Sequence, residues 1–78
     1  MRTILVSNSP ILGKNIAYIR KKLGMNEQEF CRRFDVGELM LEELEEGSCY
    51  EIYLDSCEEI ARAMNITADA LVKEDIRV

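Results

Sequence analysis

Apolar residues recur at a helical period through most of this 78-residue chain, and the breaks in that period mark its elements. Ile11, Leu12, Ile16, Ile19 and Leu23 fall on one face of a 3.6-residue repeat. The stripe follows Ser9-Pro10, a capping serine and a proline suited to the first helical position, and stops at Gly24 after Lys21 and Lys22. A first helix is expected over 10–23. Asn26, with Glu27 and Glu29 in the next turn, opens a second helix over 27–34 whose inner stripe is Phe30, Cys31 and Phe34. After Asp35, Val36 and Gly37, a third helix runs 38–46, with Leu41 and Leu44 inward and Gly47 as its stop. A fourth over 54–64 turns Cys57, Ile60, Ala61 and Met64 inward and ends at Asn65. Thr67 caps a short fifth helix over 68–73 that buries Leu71 and Val72.

The pieces left over do not follow that period. Residues 1–8, MRTILVSN, have strand character, and residues 75–78 share it. A lone strand is not stable in water. Two readings therefore stand for the N-terminal run. Either residues 2–7 pair with the C-terminal end or with a second chain, or they are an extended start whose Ile4 and Val6 rest on the core. Ser48 to Tyr53, SCYEIY, is read as a loop. Connections of two to six residues fit a single all-α domain over 1–78. A chain of this length buries only roughly 60% of its unfolded surface, so dimerisation would add stability.

Smaller signals align along the chain in a familiar order. They are Ile16 to Arg20, Met25-Asn26 followed after three residues by Phe30-Cys31, Val36-Gly37, Leu41 and Glu45-Glu46-Gly47. They continue with Ile60-Ala61-Arg62-Ala63-Met64-Asn65-Ile66-Thr67 and Asp69-Ala70-Leu71. From Leu12 to Leu71 this series resembles the λ repressor, Cro and XRE family of helix-turn-helix domains. The resemblance implies a compact five-helix λ-repressor-like DNA-binding fold. It implies a transcriptional regulator whose third helix enters the major groove, with dimer half-sites about one helical turn apart. By family position, the residues at the DNA would be Glu27, Gln28, Arg32, Arg33, Gly37, Glu38, Leu39, Met40, Glu42 and Glu43. Arg20 and Glu45 occupy positions that resemble a partly buried ion pair between helices 1 and 3. Cys31 stands where the family has alanine, at a close helix approach, and cysteine packs there as a small hydrophobe.

Charge pulls against that implication. Residues 1–26 carry five bases and no acid, whereas residues 27–59 carry twelve acids against Arg32 and Arg33, a net −10 within a chain of −5. DNA affinity comes largely from Lys and Arg at phosphates. A glutamate can accept from a cytosine amine, but four on a groove-facing helix repel both backbones. A second reading is thus a protein-interaction module on the same scaffold, serving dimerisation or an antitoxin-like or anti-repressor-like role. Its contact patch would be Leu39, Met40, Tyr50, Ile52 and Tyr53.

The composition leaves little room for other chemistry. The chain has no histidine, no glycine-rich phosphate loop and no nucleophile beside a base. No enzyme activity, cofactor, metal or small-molecule substrate is expected. Three scattered cysteines, Cys31, Cys49 and Cys57, point to reduced thiols and a cytoplasmic setting. The apolar run Thr3 to Val6 is too short for a membrane span.

Overall fold

A computed structural model describes residues 2–7, 10–49 and 51–77. In order, its elements are β1 (Ile4–Val6), α1 (Ile11–Lys22), α2 (Glu27–Phe34), α3 (Glu38–Glu46), β2 (Glu51–Tyr53), α4 (Leu54–Ala63) and α5 (Ala68–Lys73). The molecule is small and mostly helical. Ser9, Tyr50 and Val78, which the sequence assigned to a helix cap, a contact patch and a terminal strand, lie outside the described residues.

Four of the helices end in one kind of turn. Gly24, Asp35, Gly47 and Asn65 adopt left-handed φ values of 69°, 55°, 84° and 56°. In each case the N–H of the next residue reaches the carbonyl five positions back: Met25 to Arg20, Val36 to Cys31, Ser48 to Glu43 and Ile66 to Ala61. The starts are capped unevenly. Asn26 and Glu29 form a reciprocal capping box on α2, and Thr67 Oγ1 accepts from Ala70 N on α5. No side chain caps α3, whose cap position is Gly37.

The helical stripes meet in one core containing Leu12, Ile16, Ile19, Phe30, Phe34, Leu41, Leu44, Ile60 and Leu71, all nearly or fully buried. Helix α1 packs on α3 and α5, α2 lies on α3 and α4, and α4 lies on α5 and β2. Gly13 sets the distance between α1 and α3. A side-chain methyl there would overlap the Leu44 carbonyl.

The strand assignments need correction. Strand β1 pairs antiparallel with β2, Ile4 opposite Tyr53, Leu5 opposite Ile52 and Val6 opposite Glu51. Its partner is thus β2 and not the C-terminal end. Residues 51–53 are therefore a strand and not a loop. Their alternating exposure puts Ile52 fully in the core, where a branched apolar side chain fits the pleat. Residues 75–77 form no strand. There the Arg77 guanidinium grips Asp75, and Ile76 N donates to Asn15 Oδ1 at 3.3 Å.

Candidate functional site

Helix α3 is held in place from α1. Arg20 lies in the last turn of α1, where the macrodipole favours a cation, and faces Glu45 near the end of α3. Arg20 Nε donates to Glu45 Oε2 at 2.7 Å and Nη2 donates to Oε1 at 2.9 Å, while Nη1 reaches the Met25 carbonyl at 3.2 Å. Both side chains are 15% exposed, so the pair is largely withdrawn from water. The Glu45 bond raises the Arg20 pKa further above its ordinary value. Fork-to-fork geometry fixes direction as well as distance. The pair therefore fixes the outward face of α3.

That outward face is acidic. Glu38, Glu42 and Glu46 are exposed, and so are Glu27, Gln28 and Glu29 at the start of α2. Gly37 is exposed at the α3 start. Leu39 is 68% exposed, the most open large apolar side chain among the described residues. Met40 turns partly inward and packs against the core. Glu43 is half-buried, and its carbonyl holds the Ser48 turn. Of the two local cations, Arg33 lies 3.9 Å from Glu59 with its guanidinium over the Phe34 ring, while Arg32 is exposed. Residues 27–46 hold eight acids and two bases, a net of −6.

The described part of the apolar patch expected around Leu39 does not form as the sequence suggests. Ile52 is fully buried, so it is a core residue and not a contact residue. Tyr53 is half-buried beneath the Arg2 guanidinium, which sits 4.0 Å from its ring centroid. Leu39 remains, with the edge of Met40.

A second cluster escaped the sequence reading. Arg2, just before β1, bonds both oxygens of Asp55 at the start of α4, at 3.0–3.3 Å. It also reaches Asp35 Oδ2 at 3.0 Å and donates to Ser56 Oγ at 2.9 Å. Ser56, 2% exposed, donates its own hydroxyl to the Asp35 carbonyl at 3.1 Å. The Arg2 bond holds the Asp55 carboxyl below its usual range. The cluster ties the N-terminus to the α2–α3 turn. No local motif could have revealed it, because Arg2 lies 33 to 54 positions from Asp35, Asp55 and Ser56.

Asn15 was legible in principle. It sits on the apolar face of α1, three residues after Leu12 and four before Ile19. Fully buried, its Nδ2 donates to the Leu71 and Glu74 carbonyls at 2.8 and 2.6 Å. A polar residue on a core stripe needs such partners.

The thiols are distributed as packing groups. Cys31 and Cys57 are buried and Cys49 is half-buried. Burial pushes the Cys31 thiol up, aided by Glu38, Glu27 and Glu45, and pushes Cys57 up to about 11. Among the described residues, no group of three or more Cys, Asp or Glu converges as metal ligands, and no helix is long and apolar enough to cross a membrane. Comparison with family models, with curated proteins and with solved structures returns no match for this chain.

Proposed function

We propose that the chain is a helix-turn-helix regulator of the λ repressor, Cro and XRE type, with α2 and α3 as its two-helix unit in a λ-repressor-like fold. The observation that carries this reading is the two-pronged Arg20–Glu45 bond. It fixes one face of α3 inward and leaves the face of Glu38, Leu39 and Glu42 outward, as a recognition helix requires. With a net −6 over residues 27–46, contact with DNA is weak and depends on Arg32, the Gln28 amide and a partner that brings cations.

The test is titration of the full chain with mixed duplex fragments and single-stranded controls at low salt, where electrostatic binding is strongest. Duplex retardation by roughly tens of micromolar protein, lost as salt rises, supports the reading. Its absence overturns direct DNA binding by this chain alone.

One observation favours a second reading, a protein-docking α3. Leu39 is largely exposed amid acids, the make-up of a surface for a basic partner. Glu38→Ala with Leu39→Ala separates the two. Removing an acid strengthens binding if α3 faces DNA, whereas losing the apolar anchor weakens a protein complex.

A further inference from the structure

Among the described residues, one edge of strand β1 is paired with β2 and no strand lies on the other. Its hydrogen-bond parity is set by Leu54 N, which donates to Thr3 O at 2.7 Å. In the β1–β2 register, Leu5 is then directly bonded to Ile52, and the N–H and C=O of Ile4 and Val6 point away from β2. Among the described residues the sheet has two strands, and no third lies against β1. The Ile4 and Val6 side chains are 49% and 62% exposed. With Leu39, they are the exposed large hydrophobics of the described chain.

We propose that the chain forms a two-fold symmetric dimer through antiparallel pairing of β1 with β1 of a second copy, centred on Leu5. Three observations select this occupant. The first is parity. Centring on Leu5 places Ile4 opposite the partner's Val6, and these are the two residues whose backbone groups are turned outward. Each such pair exchanges two hydrogen bonds, and Leu5 meets its counterpart in the closer, unbonded position.

The second is charge. Residues 3–7, TILVS, carry none, whereas β2 carries Glu51 and the chain as a whole is −5. An uncharged edge fits an uncharged strand, and β1 is the one strand of the described chain that meets this condition. Each copy's Ile4 gains the other's Val6 as a cross-strand neighbour, an apolar pair on the outer face.

The third is shape. Beside that edge lies a groove of about 400 Å³ whose apolar lining is Leu5, Val6, Leu54, Ala68 and Val72, with Ser7, Asp69 and Lys73 also on its walls. The incoming Leu5, on the inner face of the joined sheet, points into it. The result is a continuous four-stranded sheet with the order β2, β1, β1, β2. The pairing stands apart from whatever α3 meets, so it survives if the reading of α3 fails.

The experiment is sedimentation equilibrium of the full chain up to roughly 1 mM, a range that captures weak edge pairing. Val6→Pro removes an outward N–H that the protomer does not use, while proline is tolerated at a sheet edge. The expected result is a dimer that Val6→Pro weakens roughly 30-fold, since two bonds are lost per dimer, with an unchanged melting curve. In a Cys49→Ser background, Leu5→Cys should cross-link between chains faster than Ile4→Cys, because position 5 faces itself and position 4 does not. A chain that stays monomeric throughout, or a dimer untouched by Val6→Pro, overturns the proposal. If Val6→Pro lowers the melting temperature, Ile4→Lys with Val6→Lys takes its place. Both positions are exposed in the protomer, and a dimer that persists with four facing cations overturns the proposal equally. A dimer lost in Leu39→Ala but kept in Val6→Pro assigns the interface to α3 and overturns it as well.

Discussion

Gly13 and Leu44 bring α1 and α3 into direct backbone contact, with no room between them for one methyl group. Gly13→Ala would ordinarily stabilise a helix by about 1 kcal/mol. Here the obstacle is a carbonyl, which cannot rotate away as a side chain would, so the helices must separate. The expected outcome is a net loss of about 2–3 kcal/mol, read as a lower urea midpoint at an unchanged slope.

The Arg20–Glu45 pair should behave as a buried bridge. Glu45→Met alone leaves a cation without its partner in a mostly dry site, and about 3 kcal/mol of stability should be lost. Arg20→Met together with Glu45→Met should cost less than the two single changes summed, by about 1–3 kcal/mol. A double-mutant cycle in urea measures that coupling. Additive losses would contradict it.

Asn15→Leu keeps the branching at Cγ and removes the bonds. The carbonyls of Leu71 and Glu74 and the N–H of Ile76 lose their partner together. A loss of about 2–4 kcal/mol is expected, with the last turn of α5 exchanging its amide hydrogens first. Amide exchange resolved by residue would show faster exchange at 71–76 than across α1.

Acid should act through Asp55. Its folded pKa is depressed by Arg2, so the bond stabilises the fold above the ordinary carboxylate value and is lost as pH falls through the folded one. Melting temperatures measured from about pH 6 to pH 2 should fall less steeply for Asp55→Asn than for the parent chain. Equal slopes would place the acid sensitivity elsewhere.

A thiol reagent should distinguish the cysteines. Cys49, half-buried, should react first at neutral pH, while Cys31 and Cys57 wait for unfolding. One fast equivalent per chain is expected, rising to three in denaturant.

The helices could be read from the chain almost to the residue, because their signals are local. Asn26, Gly47, Asn65 and Thr67 each act within one turn of where they stand. The family resemblance pairs Arg20 with Glu45, and that bond is present. What could not be read was the partner of β1. A three-residue strand has too short a pattern to name its mate, and Ile52 could not be told from a surface residue until pairing placed it inward. The same holds for Arg2, whose carboxylates belong to distant turns. On α3, the sequence showed which side carried the acids but not that Met40 would fold partly inward while Leu39 stayed out.

The Arg2 cluster has a consequence for the order of assembly. Everything that receives the N-terminal strand, from Asp35 through Ile52 to Asp55 and Ser56, emerges later in synthesis than the strand itself. The helices α1 to α3 can close on nearby contacts, but β1 must wait for a loop of more than forty residues to close, at an entropic cost. Strand β1 is thus made well before the surface it docks on. During that interval both edges of β1 are open, which makes the nascent chain more prone to pair with a neighbour than the finished one.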